Sequence, residues 1–262
     1  MAMSEFSIRI NTLKIQIQDC KNQLRQEKIN FRELSWCDHS FIITHDKKGF
    51  FNSKFVTNGW CYVQNLSSLL PALILDPQSN ETILDLCAAP GGKTMHLSAL
   101  MNNNGTVIAN DVSRPRLYKA QALFDQYGVS NVETKLSKGE FLWKEYENFF
   151  DRALVDVPCS MGQEYANKNL KRLAQRQKYL AKSAFSSLKP GGMMTYSTCT
   201  NTDKENAEVI QWLQKHCPNA IVTKPDLHSD LEQFLTDNNL IEIKPDSHPQ
   251  FDPFFIALIQ KQ

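Results

Sequence analysis

Thr82-Ile83-Leu84-Asp85-Leu86-Cys87-Ala88-Ala89-Pro90-Gly91-Gly92-Lys93-Thr94 is the stretch that decides the fold. Thr82 to Cys87 is an apolar run bounded by turn residues, which reads as a buried strand. Lys93 to Met101 reads as a helix. Between them lies a short loop with a double glycine, which removes side chains where backbone must approach a ligand closely. The helix points its N-terminus at that loop and favours polar or anionic groups there.

Outward from this junction, strand and helix alternate. Thr106 to Asn110 is a strand, Arg114 to Tyr127 a helix, and Asn131 to Leu136 and Arg152 to Val157 are strands. Lys168 to Leu188 is a long helix, Gly192 to Thr198 a strand and Lys204 to His216 a helix. Ala220 to Lys224 and Phe254 to Gln260 read as late strands. This alternation predicts a mostly parallel sheet covered by helices, with ligands beyond the carboxyl ends of its strands. Upstream, Leu13, Ile17, Cys20 and Leu24 recur at helical spacing, Ser40 to Thr44 reads as a strand, and Gly59 to Leu75 runs from a loop into an apolar helix. The expected division is an N-terminal arm over 1–58 that contacts the partner and a catalytic domain over 59–262.

Composition sets the broad class. The 262 residues are 42% hydrophobic and 22% charged, ordinary for a globular protein. A net charge of +1 means that a nucleic-acid partner must be held by a local basic face. The seven cysteines form no CxxC pair and no zinc spacing, and their number is odd, so reduced thiols in a cytosol-like compartment are expected, with no metal. The opening residues MAMSEFSIRI show no apolar signal core, and no apolar run approaches the roughly 20 residues of a membrane span. No internal repeat stands out, the six histidines show no ligand spacing, and His96 is expected to be structural.

The loop can be tested against known ligand chemistries. Gly92-Lys93-Thr94 fits the end of a phosphate-binding loop, but Cys87 stands where that motif needs its first glycine. The G-x-G-x-x-G of a dinucleotide site is absent. Asp111 closes the second strand twenty residues after Gly91, where a carboxylate can accept two ribose hydroxyls. A nucleoside without phosphates, such as S-adenosylmethionine, fits best; the plain alternative is a tight connection that binds nothing.

Asp156-Val157-Pro158-Cys159-Ser160 and Tyr196-Ser197-Thr198-Cys199-Thr200 each follow a strand, and in a sheet of this order those strands are neighbours. Both thiols would then open onto the crevice of the cofactor loop. A lone strand-end cysteine is more often a small core residue. Two of them with Asp156 and Lys93 match a different chemistry. Cytosine C5 is a poor nucleophile until a thiolate adds to C6, which needs a proton or hydrogen bond at N3. Asp156 suits that task, and Lys93 would help to lower a thiol pKa from its free value of about 8.5.

Together these residues resemble the RNA cytosine-C5 methyltransferase family, the NOL1/NOP2/Sun (RsmB/NOP) type. The resemblance rests on Leu84 to Thr94, on Asn110-Asp111-Val112-Ser113 with Arg116-Leu117, and on the two cysteine segments. Pro190-Gly191-Gly192, Phe254 to Ala257, Tyr62-Val63-Gln64 and Ser67-Ser68 extend it over about residues 55–260. It implies a class I S-adenosylmethionine-dependent methyltransferase fold, Rossmann-like, with a mostly parallel seven-stranded sheet and a small N-terminal subdomain. It implies that Cys199 attacks C6 and Cys159 assists release. The cofactor would be held by Cys87, Ala88, Ala89, Pro90, Gly91, Gly92, Lys93, Asp111, Arg116, Lys138, Gly139 and Asp156. The chain departs from the pattern at Ser137-Lys138-Gly139-Glu140, where the family usually offers Asp, then Gly or Ala, then Arg. The adenine-side carboxylate is missing there, which predicts weaker cofactor contacts. The strings around Asn110 and Asp151 are most similar to the mitochondrial ribosomal branch, which sets a mitochondrial location beside the cytoplasmic one for a eukaryotic source.

Residues 165–202 carry no Asp or Glu, and Lys168, Lys171, Arg172, Arg176 and Lys178 fall on the long helix beside the Cys159 loop. They are expected to grip RNA phosphates while the target base is flipped into the pocket. Lys47, Lys48 and Lys54 with Phe50, Phe51 and Phe55 suggest an added stacking surface, or simply core. The RNA is ribosomal or transfer RNA, the protein a monomer, and a protein partner is one route to target choice. Three rival readings are DNA cytosine methylation with Cys159 attacking, adenine amino methylation, and a non-catalytic RNA scaffold on a decayed fold. The adenine option fails because Asp156-Val157-Pro158-Cys159 lacks its Pro-Pro-aromatic loop.

Overall fold

The described residues of this computed structural model are 4–161, 167–244 and 248–262, the side chains of Asn167 and Lys168 excepted. The chain opens with a four-stranded antiparallel sheet: β1 (Ser4–Ile10), β2 (Asn30–Leu34), β3 (Cys37–His45) and β4 (Cys61–Val63), in the order β2-β3-β1-β4. The sequence reading assigns neither β1 nor β2. In β1, Phe6, Ile8 and Ile10 alternate with Ser7 and Arg9 and lie on one buried face, a period of two that the sequence carries; Arg9, on the other face, is buried as well. Helix α1 (Ile17–Gln26) lays Cys20 and Leu24 on that face. Short helices α2 (Lys47–Phe51) and α3 (Lys54–Thr57) add Phe50 and Phe55, which stack 5.7 Å apart in the core. Those two rings are therefore core and not a stacking surface; Phe51 is exposed. Because β4 belongs to this sheet, its last strand lies beyond the division expected after residue 58.

Helix α4 (Leu70–Leu75) then leads into the large sheet, with Pro71 in its first turn, where the missing N–H breaks no helical bond. The remaining elements are β5 (Thr82–Asp85), α5 (Gly92–Leu100), β6 (Thr106–Asp111), α6 (Arg114–Tyr127), β7 (Val132–Leu136) and β8 (Phe150–Asp156). They continue with α7 (Asn167–Ser187), β9 (Leu188–Thr198), α8 (Ala207–His216), β10 (Ala220–Val222), β11 (Leu240–Ile243) and β12 (Phe254–Lys261). The sheet runs β10-β12-β9-β8-β5-β6-β7, the expected seven-strand path, and β11 joins as an eighth strand on β12. Strands β5 to β9 are parallel, and β12 runs against β9. This is the class I methyltransferase arrangement.

Two features of this topology position the site. The chain proceeds from β5 to one side of the sheet and returns to place β8 on the other side. The crevice for a ligand opens at that reversal, above the β5 loop. The register of β8 on β9 sets Asp156 beside Ser197, so both cysteine loops leave the sheet at one level. Beneath them, Leu180, Ala184 and Phe185 of α7 pack on Val155, Met194 and Tyr196 of the sheet.

The N-terminal sheet is braced on the cofactor helix. Arg9 donates from Nε to Gln64 Oε1 (3.0 Å) and from Nη2 to the Gly92 carbonyl (3.2 Å). Burial pulls its guanidinium down to about 10. His39 of β3 meets His96 of α5 through their Nε2 atoms at 3.1 Å, so His96 is a buried interface residue.

Candidate active site

The loop after β5 folds back on itself. Gly91 donates to the Ala88 carbonyl (2.8 Å) and adopts φ +108° at the start of α5. A Cβ at Gly91 would stand 2.8 Å from Phe124 Cε1, and one at Gly92 would stand 2.8 Å from Tyr62 Cε1. The peptide backbone is thereby packed from behind and exposed in front. The second loop, after β6, supplies Asp111, which is almost fully buried. It accepts from Ser113 N (2.8 Å) and Ala89 N (3.3 Å) and pairs with Arg116 Nη1 (3.2 Å). Arg116 also donates to the Ala89 carbonyl, tying the two loops together. A carboxylate has about four lone-pair sites, so Asp111 keeps capacity for a ribose hydroxyl.

Both loops line one cleft of about 470 Å³, together with Gly139, Asp156, Cys159, Arg176 and Cys199. A smaller cleft of about 270 Å³ lies on the other side of the loop, lined by Tyr62, Ser68, Asp85 and Lys93 among others, and the two share Asp156. This donor set fits a nucleoside cofactor, a ribose against Asp111 and a backbone cradle at 87–93. At the altered segment, Ser137 Oγ donates to Asn110 Oδ1 (2.8 Å) and Gly139 packs where a Cβ would lie 2.8 Å from Leu180 Cδ2. Glu140 accepts from Arg176 Nε (2.6 Å), while its Oε2 is buried with no hydrogen-bond partner among the described residues.

At the far end of the cleft, Cys159 Sγ and Cys199 Sγ are 2.9 Å apart, and Cys199 N donates to Cys159 Sγ at 3.3 Å. Lys93 Nζ donates to Asp156 Oδ2 (2.7 Å) and Ser197 Oγ donates to Asp156 Oδ1 (2.7 Å). The hydrogen bond from Cys199 draws the Cys159 thiol down. That same contact pushes Cys199 well up, because losing its proton would set two anionic sulfurs side by side; Lys93 acts in the opposite direction and is outweighed. The expected lowering by Lys93 is thus real in sign but does not decide which thiol ionises first. Asp85, at the end of β5, is buried against Thr94 Oγ1 (2.7 Å), and desolvation raises its carboxyl to about 7.

The structure gathers Cys87, Ala88, Ala89, Pro90, Gly92, Lys93, Asp111, Arg116, Gly139, Asp156, Cys159 and Cys199 around these two clefts, while Gly91 is buried behind the loop and lines neither. Lys138 lines a neighbouring apolar hollow with Phe141 and Tyr179. Arg176, expected to face RNA, turns into the cofactor cleft toward Glu140. Lys171 and Arg172 are exposed on α7, Lys178 is half-buried, and the side chain of Lys168 lies outside the described residues. Lys54, expected among the early basic residues, pairs with Glu27 at 2.6 Å. Sequence reasoning gave no role to Ser160 and Ser197, although both stand in the two cysteine segments, and missed Gln177 and Glu205, which belong to no motif. Among the described residues no group of three or more His, Cys, Asp or Glu is set to hold a metal ion, and no helix is long and apolar enough to cross a membrane.

Comparison with known proteins bears on the same residues. The profile of the family described as 16S rRNA methyltransferase RsmB/F matches residues 72–260. The chain belongs to the RsmB/F family. Ribosomal RNA small subunit methyltransferase F of Pectobacterium carotovorum is similar at 32% identity over 97% of this chain and 56% of its own length. The chain therefore spans little more than half of that relative, whose bacterial source lends no support to a mitochondrial location. Among solved structures, a methyltransferase homolog protein from Pyrococcus horikoshii matches at 30% identity, with a TM-score of 0.86 over 100% of this chain and 88% of that one. NSun6 from Pyrococcus horikoshii with SFG shares the fold at 21% identity, with a TM-score of 0.87 over 99% of this chain and 91% of that one. The family resemblance read from the cysteine and cofactor segments is borne out.

Proposed function

We propose that this RsmB/F chain methylates cytosine C5 in small-subunit ribosomal RNA, using S-adenosylmethionine and a transient bond from Cys199 Sγ to cytosine C6. The observation that carries this reading is the close approach of Cys159 and Cys199 at the end of a nucleoside-sized cleft, with Lys93–Asp156 beside them. Ribosomal RNA is favoured over transfer RNA by the family match.

The residues divide the work as follows. The contact between the sulfurs favours ionisation of Cys159 and disfavours that of Cys199, so attack requires the Cys199 proton to pass to Cys159 Sγ, 2.9 Å away. The thiolate adds to C6, and the electron density pushed into the ring is met by a proton at N3. Asp156 is already an acceptor on both oxygens, so that proton passes from Lys93 Nζ through Asp156 Oδ2. Residues 87–93 and Asp111 would hold S-adenosylmethionine, which would supply an electrophilic methyl group to C5. Loss of the C5 proton to water, with return of the N3 proton through Asp156 to Lys93, re-forms the C5–C6 double bond and expels Cys199 Sγ as a thiolate, which takes its proton back from Cys159 Sγ. Lys171 and Arg172 on α7 hold phosphates of the flanking strand.

Single substitutions separate the roles. Cys199→Ala abolishes both turnover and the covalent protein–RNA adduct, whereas Cys159→Ala accumulates adduct on a denaturing gel. The reverse pattern would make Cys159 the nucleophile and sink this assignment.

A further inference from the structure

Glu205 lies between the two cysteine loops with no solvent exposure at all, six residues past Cys199 and just before α8. Its carboxyl oxygens face the loop that carries Cys159 and Gln177 of α7. Ser160 N donates to Oε1 (3.0 Å) and Ser160 Oγ donates to Oε2 (2.5 Å). Gln177 of α7, also fully buried, donates to Oε1 (2.8 Å) and to the Pro158 carbonyl (2.9 Å). The backbone carbonyl of Glu205 in turn accepts from the Tyr196 hydroxyl at the end of β9 (2.6 Å). Pro158 and Ser160, the two neighbours of Cys159, are thus both tied to one buried carboxyl that is anchored to the Cys199 strand.

Burying a carboxyl is costly unless hydrogen bonds satisfy it, and Glu205 receives three. Two come from Ser160 directly, and the third comes from Gln177, which also holds the Pro158 carbonyl, so all three bear on the Cys159 loop. We infer that Glu205 is the positioning residue that sets Cys159 against Cys199, and that it acts on the release of methylated RNA through Cys159. The release part rests on the covalent reading given above; the positioning part does not.

Two measurements keep these apart. The first needs no RNA: diamide accepts two electrons and two protons from the thiols, and a Cys159–Cys199 disulfide forms. Cross-linking is fast in the native protein because the sulfurs already touch. In Glu205→Ala it slows by about tenfold or more, roughly the effect of losing about 1.4 kcal/mol of alignment. Glu205→Gln keeps an acceptor for Ser160 N and Gln177 and restores the rate. The second follows small-subunit ribosomal RNA with S-adenosylmethionine: Glu205→Ala raises the trapped adduct toward the level of Cys159→Ala while adduct formation itself persists, and Glu205→Gln again releases product. Should Glu205→Ala fail to fold, Gln177→Leu cuts the tether at Pro158 and is read in the same way. Unchanged cross-linking in a folded variant overturns the positioning role. Normal cross-linking dependence with no adduct in Cys159→Ala would instead overturn the covalent reading. Loss of adduct and turnover together, with cross-linking slowed, would remove the link to release.

Discussion

Gly91→Ala tests whether the cofactor loop is held in its shape from behind. Gly91 sits at φ +108°, a backbone conformation that costs a residue with a Cβ about 1–3 kcal/mol. The new methyl would meet Phe124 Cε1 at 2.8 Å and Ala120 Cβ at 3.4 Å. Phe124 is buried with Ala88, Met95 and Tyr127, so its ring has no space into which to retreat. Overpacking of that kind adds about 1–3 kcal/mol. A central sum near 4 kcal/mol lowers the melting temperature by about 8–16 °C for a chain of this size. Gly191→Ala is the internal control. Its φ is +82°, but nothing stands within 4 Å of the added Cβ, so only the backbone cost applies, centred near 2 kcal/mol or about 4–8 °C. Calorimetry with S-adenosylmethionine should show at least about tenfold weaker binding for Gly91→Ala, the loss expected when a backbone cradle shifts by part of an ångström, and none for Gly191→Ala. Equal melting of the two variants, or full cofactor affinity in Gly91→Ala, would refute the argument that the ring of Phe124 shapes the loop.

Two further outcomes follow from the site. Asp85 has a folded carboxyl raised to about 7 from an ordinary 3.8, so the native state holds its proton more tightly than the unfolded chain. Its contribution to stability is complete below about pH 4 and is lost as pH rises toward 7. Melting curves of Asp85→Asn should therefore lack this decline, gaining on the native protein between pH 5 and about 8; parallel curves would contradict it. On α7, Lys171→Glu and Arg172→Glu should weaken RNA binding evenly across sequences and reduce the slope of log affinity against log salt by about one each, read by filter binding at several salt concentrations. An unchanged slope would remove this face from the RNA path.

Much of the catalytic domain was legible because its signals are local. Arg114 to Tyr127 is a helix with the bounds its sequence suggests, closed by Gly128 in a left-handed turn. The mostly parallel sheet follows from alternating strand and helix, and its seven strands from the family resemblance. The N-terminal sheet was legible only in part: Ser40 to Thr44 falls within β3, but the strands pair residues as distant as Ile8 and Val63, and the alternation of Phe6, Ile8 and Ile10 marks a strand without naming its partners. The direction of Arg176 was not legible because a charge on a helix carries no mark of where it faces; it pairs with Glu140, thirty-six residues away, at the edge of the cleft.

The sequence by itself determined the chemistry on offer: two thiols after neighbouring strands, a lysine and carboxylate near them, and a glycine loop opening a helix. Those are properties of residue type and spacing along one strand–loop–helix unit, and short-range sterics enforce them. Only the tertiary structure decided how the thiols meet, which of them gives up its proton more readily, and that a carboxyl at position 205 spends its hydrogen bonds on the Cys159 loop. Each of these depends on distances of about 3 Å between segments tens of residues apart, and such distances exist only once the sheet has closed and water has been excluded from between the loops.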